Sequence, residues 1–318
     1  MLDNFIYSVN VILPVFIIVI LGFILGRTKF IGESFVDPCE KIVFKVALPV
    51  MLFLEVAGAE KLSQGDFKLI LYCICSVTAV FVLVSLSSLL FVKKDYRGAF
   101  VQGAARSNFA VLGIPLVSSM FGESGSKAIA LVMPFIIIMF NAYSVIVLSL
   151  FSNGEKKESF GKTLKKLLVN IVTNPLIISV FLALPVMYFG IDLPTFADKS
   201  LEYIGAMTTP LSLICLGANF KISAIKGRAG ASIAATALKL IILPLVTVAV
   251  AALLGFRDES LGTVFVLFGA PSSVSSYIMA RNMNNDSDLA AQILLFSTML
   301  CLFTVFAGVF VLKSLSLI

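Results

Sequence analysis

Two basic side chains stand inside long apolar stretches of this sequence, where an ionised group can do chemistry. Arg106 follows Arg97 by nine residues, so a helical rise of ~1.5 Å per residue would place it ~13 Å inside a hydrophobic layer. A charge at that depth is costly and is a functional hypothesis by default. Its planar guanidinium suits a carboxylate through two parallel hydrogen bonds. The alternative is that Arg106 reaches back to the cytoplasmic headgroups.

Lys239 is the second such cation, and it lies well inside the apolar stretch that begins at position 229. It would pair either with a transported anion or with an acidic side chain. Carboxylates are scarce within the apolar stretches, whereas a cation carrier or proton pump would usually need one near mid-membrane. Two buried cations with few acids therefore favour an anionic substrate.

Two Gly-x-Pro motifs interrupt the apolar pattern: Gly113-Ile-Pro115 and Gly269-Ala-Pro271. Proline lacks a backbone N–H and clashes with the preceding helical turn. Backbone groups freed inside a membrane are tolerated only where protein or a water-filled cavity satisfies them. Broken helices at corresponding positions of two halves indicate the midplane site of a transporter. The alternative is that these prolines only kink helices for packing.

Hydrogen-bonding side chains stand beside both motifs, since Asn108 precedes the first and a run of serines follows the second. They would donate hydrogen bonds to a substrate while a nearby cation supplies positive charge. The predicted substrate site comprises Arg106, Asn108, Gly113, Pro115, Lys239, Pro271, Ser272, Ser273 and Ser275.

The composition places these residues in a membrane. Hydrophobic residues make up 59% of the 318, and charged residues only 13%, against about 25% in soluble domains. Apolar runs of around 20 residues, enough to cross a ~30 Å hydrocarbon core, recur throughout the chain. We therefore predict an all-α integral membrane protein of about ten transmembrane helices. The expected spans are 5–26, 37–57, 67–92, 97–120, 127–151, 167–189, 198–219, 229–255, 259–281 and 287–312.

The distribution of Lys and Arg predicts the orientation of these spans. Most of them lie in one set of alternate loops, which includes the central loop 152–166. Because loops rich in Lys and Arg stay inside, we expect this set to be cytoplasmic and both termini to lie outside. The same placement accounts for the net charge of +6 without nucleic acid as a partner. The lipid bilayer and a small organic anion are the expected partners.

The central loop divides the chain into halves that show signs of repetition. Residues 1–151 and 167–318 hold five expected spans each. Pro14 and Pro49 in the first half match Pro175 and Pro210 in the second, 161 residues later in both cases. An odd number of spans per half means that related halves would be inverted repeats.

Catalysis has little support in this sequence. It contains no histidine, which is the commonest general base, and its five cysteines lack metal-site spacing. We therefore expect no enzyme activity, no metal and no cofactor. A passive channel or facilitator for another small solute is the alternative to a carrier, and an intramembrane enzyme is the more distant one. The sequence leaves the oligomeric state open, although a homodimer would anchor a scaffold.

Four strings of residues resemble the auxin efflux carrier family, and most closely its compact bacterial members known as malate or malonate permeases. The resemblance covers the whole chain. The strings are Ala47-Leu-Pro-Val-Met-Leu-Phe53, Arg106-Ser-Asn-Phe-Ala-Val-Leu-Gly-Ile-Pro-Leu116, Thr209-Pro-Leu-Ser-Leu-Ile-Cys-Leu-Gly-Ala-Asn219 and Phe268-Gly-Ala-Pro-Ser-Ser-Val-Ser-Ser276.

The resemblance implies two inverted five-helix repeats, similar to those of bile-acid sodium symporters. Spans one, two, six and seven would form a scaffold domain, and spans three to five and eight to ten a transport domain. Spans four and nine would unwind and cross at Pro115 and Pro271, with Asn108 at the polar position before the first break. Family substrates are organic anions, and transport in related proteins is elevator-like. The coupling ion (proton, sodium or none) stays open.

Overall fold

A computed structural model describes residues 2–58, 64–152, 169, 173, 175–218 and 228–318. All regular secondary structure within these residues is helical, as predicted for an all-α membrane protein. The central loop 152–166 lies outside the described residues except for Ser152, and so does the start of the predicted sixth span.

The helices of the described residues are numbered here in chain order. Those of the first half are α1 (Leu2–Arg27), α2 (Glu33–Ile42), α3 (Leu48–Ala57), α4 (Gln64–Phe91), α5 (Arg97–Ala105) and α6 (Ile114–Leu150). Those of the second half are α7 (Pro175–Phe189), α8 (Thr195–Ala206), α9 (Thr208–Ala218), α10 (Ala229–Ala237), α11 (Leu243–Leu253), α12 (Asp258–Gly269), α13 (Val274–Asn282) and α14 (Ser287–Ser314).

Five helical stretches of the described residues are long and apolar enough to cross a membrane: Gly65–Phe91, Lys94–Leu150, Thr195–Ala218, Ala229–Leu253 and Ser287–Ser314. The second has 57 residues, far more than one crossing needs. It is interrupted within α6 at Gly122, whose φ of 61° and ψ of −135° are non-helical. Only glycine adopts such a conformation readily, so the chain can turn there between predicted spans four and five.

Three π-helical turns share one sequence feature, a proline two residues after the turn ends. The turns are Val43–Ala47, Phe109–Gly113 and Leu238–Ile242, and the prolines that follow them are Pro49, Pro115 and Pro244. Proline cannot donate to the carbonyl four residues before it, and its ring clashes with that carbonyl. A wider turn relieves the clash and lets the helix continue.

Helices α1 and α9 approach each other closely along a line of small residues. A Cβ at Gly217 would lie 1.9 Å from the carbonyl oxygen of Val19, and a Cβ at Gly22 would lie 2.2 Å from that of Ile214. Glycine at these positions therefore lets the two backbones touch, as small residues do between membrane helices. Helix α3 packs against α7 and α8 in the same part of the protein.

The largest buried core lies among α4, α5, α6, α12 and α14. Every residue of α12 from Leu261 to Gly269 is buried, so this helix is enclosed by protein on all sides. Helix α4 instead exposes large apolar side chains such as Leu83 and Leu90, as a lipid-facing helix does. Two interruptions of the helices lie in this core, at residues 106–108 and 270–273.

Candidate functional site

Two extended segments interrupt the helical structure deep in the protein and meet there. The first comprises residues 106–108, between α5 and the π-helical turn Phe109–Gly113. The second comprises residues 270–273, between α12 and α13. The backbone N–H of Asn108 donates a hydrogen bond to the carbonyl oxygen of Pro271 at 2.8 Å. Each break thus satisfies a backbone group of the other, as buried polar groups in a membrane must be satisfied.

Two further hydrogen bonds fix the segment 270–273. The hydroxyl of Ser107 donates to the carbonyl oxygen of Ala270 at 3.4 Å. On the other side, the N–H of Ser272 donates to Oγ of Ser297 on α14 at 3.1 Å. The crossing is therefore held against α14 as well as against the first break.

The first break does not lie at Pro115, where it was expected. The backbone is non-helical at residues 106–108 and helical again from Phe109 onwards, so the break precedes Pro115 by seven residues. The proline is accommodated by its π-helical turn instead. The second break lies at Pro271, where it was expected, because this proline itself belongs to the extended segment.

Arg106 begins the first break, and its side chain is only 9% exposed. Its Nη2 donates to Oδ1 of Asn141 at 2.9 Å, and its Nη1 donates to Oγ of Ser144 at 3.1 Å. The sulfur of Met279 on α13 lies 3.2 Å from Nη1. These hydrogen-bond partners are all neutral. The guanidinium is therefore positioned by α6 and α13, and it forms no ion pair with any of the described residues.

A cavity of about 380 Å³ opens beside the crossing. One wall comes from the crossing and α6: residues 106–111, Ile137, Phe140, Asn141, Ser273 and Ser275. The opposite wall comes from the segment Glu33–Ala57 and from α9: Glu40, Val43, Phe44, Leu48, Ser212, Cys215 and Leu216. The cavity combines an apolar lining with a few convergent polar groups, which is typical of small-molecule sites.

The cavity brings together four of the residues predicted from sequence: Arg106, Asn108, Ser273 and Ser275. The last two share a hydrogen bond of 2.8 Å between their hydroxyls. The other predicted residues do not line it. Gly113 and Pro115 lie in and after the π-helical turn, and Pro271 and Ser272 lie in the second break.

Lys239 also lies apart from the cavity. It occupies the π-helical turn Leu238–Ile242, which packs against α5, α12 and α14. Its side chain is 0% exposed, and its Nζ has no hydrogen-bond partner in the described part of the chain.

Four polar lining residues lie outside the site predicted from the sequence: Glu40, Ser107, Asn141 and Ser212. Asn141 is recognisable as a polar residue within an apolar span, but its pairing with Arg106 joins residues 35 positions apart. Glu40 lies on α2 and Ser212 on α9, and neither helix carries one of the two crossing segments. No sequence signal relates them to the crossing, because only the tertiary structure brings α2 and α9 to it.

No group of three or more Cys, Asp and Glu side chains in the described ranges is arranged to hold a metal ion.

Comparison with known proteins identifies similar chains. A model of the family described as membrane transport protein matches residues 7–307. An "Uncharacterized transporter" of Methanothermobacter thermautotrophicus is 25% identical over 94% of this chain and 96% of its own. The "Uncharacterized transporter YfdV" of Escherichia coli (strain K12) is 24% identical over 87% of this chain and 89% of its own. A "Putative malonate transporter" of Rhizobium meliloti is 22% identical over 96% of both chains.

Proposed function

The chain belongs to the membrane transport protein family, the auxin efflux carrier family that its motifs resemble, and we propose that it carries small organic anions across the cell membrane. The substrates would be mono- or dicarboxylates, moved by secondary active transport. As members of this family the protein and its relatives are membrane transporters and not enzymes.

The observation that carries this proposal is the Arg106 guanidinium in the cavity wall. A buried cation without an anionic partner is costly, and a carboxylate bound in the cavity would offset that cost. Asn108, Ser273 and Ser275 line the same wall and would bond the remaining carboxylate oxygens. The name of the Rhizobium meliloti relative, which mentions malonate, agrees with a small carboxylate.

The two walls of the cavity support an elevator-like mechanism. In this proposal α1, α3, α7 and α9 belong to the scaffold, and the crossing belongs to a transport domain that slides against it. The pairing of α1 with α9 and of α3 with α7 is what two inverted five-helix repeats would produce, since a pseudo-twofold axis would exchange the two pairs. The substrate would then travel at the boundary between the domains.

The orientation of the chain in the membrane is part of the same proposal. The excess of Lys and Arg in alternate loops would keep the loop 152–166 in the cytoplasm and both termini outside. Arg97, near the start of α5, would then lie on the cytoplasmic side.

Uptake into proteoliposomes tests the proposed function. Labelled malonate, malate and an aromatic monocarboxylate would be offered in turn under a pH gradient, a sodium gradient or a membrane potential. We expect saturable uptake of at least one carboxylate, and we expect Arg106→Ala to abolish it. Failure of every carboxylate under every gradient, with protein that remains folded, would refute the anion assignment.

A further inference from the structure

Lys239 is a buried amine that the anion site does not use. Its side chain is 0% exposed, and its Nζ makes no hydrogen bond to any of the described residues. The neighbouring Ile241 and Ile242 are exposed, so the turn has a lipid-facing side and an inner side. Lys239 lies on the inner side, against α5, α12 and α14.

Lys239 is unusual because its amine is buried without a hydrogen-bond partner among the described residues. An ammonium group has three N–H donors and no acceptor, and burying it unpaired costs far more than burying a polar neutral group. A lysine kept only for packing would be replaceable by any long apolar side chain at a gain in stability. A lysine that alternates between amine and ammonium, by contrast, needs a site where neither form is locked in place.

The helices around Lys239 offer acceptors for the charged form. Thr236 lies three residues earlier, so its side chain shares a helix face with Lys239. Its Oγ1 has no hydrogen-bond partner in the described ranges, and the same holds for Oε1 of Gln102 on α5 and Oγ1 of Thr263 on α12. These oxygens belong to the helix of Lys239 and to elements packed against its turn. Such oxygens accept hydrogen bonds from an ammonium group, whereas a carboxylate partner would hold it permanently charged.

The charged and titratable groups of the surrounding elements lie mostly at helix ends. Helix α10 follows Arg228, and α11 carries no charged residue. The remaining groups are Arg97 and Arg106 at the two ends of α5, Asp258 and Glu259 in the first turn of α12, Asp286, Asp288 and Lys313 at the ends of α14, and the buried thiol of Cys301 within α14. None of the described carboxylates forms an ion pair with Lys239.

The second break links this position to the cavity. Ser273 lines the cavity, whereas its neighbour Ser272 is buried and donates its N–H to Ser297 of α14. Helix α14 in turn packs against the turn that holds Lys239. The segment 270–273, which borders the cavity, and the turn that holds Lys239 therefore both contact α14.

We propose that Lys239 is the proton-binding site that couples anion transport to a pH gradient, an inference that rests on the proposed function. The lone pair of the amine binds a proton when the transport domain is open to the acidic side and releases it when the domain is open to the other side. In a medium of low dielectric, an ammonium group favours an anion nearby, and the anion favours the ammonium form to the same extent. Proton and anion therefore cross together.

Two assays separate this coupling from transport itself. Counterflow of labelled malonate at equal pH on both sides needs substrate exchange but no net proton movement. Accumulation under an acid-outside gradient, with the membrane potential clamped at zero, needs the coupled proton. The variants are Lys239→Met, which keeps an unbranched chain of similar length without the amine, Lys239→Gln, and the control Lys199→Met on the exposed surface of α8.

For the wild type and Lys199→Met we expect malonate to accumulate inside the vesicles ~10-fold for each unit of pH difference across the membrane. This is the limit for one proton transported with each anion. For Lys239→Met and Lys239→Gln we expect counterflow at saturating malonate but an accumulation ratio of about 1.

Three outcomes would overturn the inference. Lys239→Met could still accumulate malonate as the wild type does, or the wild type could show counterflow without responding to the pH gradient. Folded Lys239→Met and Lys239→Gln could also both lack counterflow, which would make the lysine necessary for exchange itself. In each case the proposed function stands. Absence of counterflow for every carboxylate in the wild type would instead refute the proposed function and this inference with it.

Discussion

The backbone N–H of Asn108 and the carbonyl oxygen of Pro271 form a 2.8 Å hydrogen bond between the two helix breaks. Proline has no N–H of its own but retains its carbonyl, so Pro271 both interrupts the helix and accepts the bond that joins the breaks. The Asn108 side chain takes no part in this bond, and the residue also lines the cavity. Under the proposed function, the backbone of this residue would hold the crossing while its side chain would bind the anion.

This separation makes Asn108→Ala an informative substitution. The variant keeps the N–H and therefore the crossing, but it removes an amide from the cavity. Losing one hydrogen bond to a charged carboxylate costs about 1.5–3 kcal/mol, so we expect the KM for malonate to rise ~10- to 100-fold with little change in thermal stability. Ser124→Ala, at an exposed position, is the control. A KM equal to that of the wild type would exclude a role for the amide.

Arg106 allows a test of geometry as distinct from charge. Arg106→Lys keeps the positive charge but loses the planar fork that contacts Asn141 and Ser144 at once. Since lysine does not reproduce bidentate contacts, we expect at least a tenfold loss in kcat/KM, or about 1.4 kcal/mol. Kinetics in proteoliposomes would measure it. If Arg106→Lys transported as well as the wild type, a simple electrostatic role would replace the bidentate one.

The contact between α1 and α9 predicts a large effect on stability from a single methyl group. Gly217→Ala would place its Cβ 1.9 Å from the Val19 carbonyl oxygen, so the helices must separate. Overpacking of this kind costs about 1–3 kcal/mol. We expect a lower unfolding temperature in detergent.

Gly230→Ala is the matched control for that substitution, because none of the described residues lies within 4 Å of the added Cβ. Alanine in a helix is favoured over glycine by about 0.5–1 kcal/mol, so this variant should be as stable as the wild type or more so. Equal unfolding temperatures for the two variants would mean that α1 and α9 are not in close contact.

Asp286 has two separable functions at the start of α14. Its Oδ1 accepts a hydrogen bond from the Leu289 N–H at 2.8 Å, and its Oδ2 accepts one from Nε of Arg228 at 2.6 Å. The second bond raises the pKa of the Arg228 guanidinium, partly opposed by desolvation. Asp286→Asn retains the helix cap and loses the ion pair, whereas Asp286→Ala loses both.

We therefore expect Asp286→Ala to be the less stable of the two variants by about 1 kcal/mol, the usual value of an N-cap. Chemical or thermal unfolding of both proteins in the same detergent would measure the difference. Identical stabilities would show that the cap contributes nothing to α14 in the membrane protein.

The sequence alone predicts the membrane class, the family and part of the cavity wall. These follow from apolar run length and from motifs that are local in the chain. The position of the first break could not be predicted, because the widened turn Phe109–Gly113 absorbs the effect of Pro115. The location of Lys239 could not be predicted either, since a position along a span gives depth in the membrane but not the direction in which the side chain points.

The cavity wall formed by the segment Glu33–Ala57 and by α9 could not be predicted from the sequence either. Glu40 precedes the first break by 66 residues, and Ser212 follows it by 104. Their helices reach the crossing through packing such as the glycine contact between α1 and α9. Nothing in a local pattern specifies which helices will meet.

Filling the cavity tests most directly whether it is the anion site. Ala110 lines it and does not form part of the crossing hydrogen bonds, whereas Ala206 lies exposed on α8. Malonate counterflow would be measured for Ala110→Phe and Ala206→Phe in proteoliposomes containing equal amounts of folded protein. We predict that the first variant loses counterflow and the second retains it. Wild-type counterflow in Ala110→Phe would contradict the assignment of this cavity as the path of the anion.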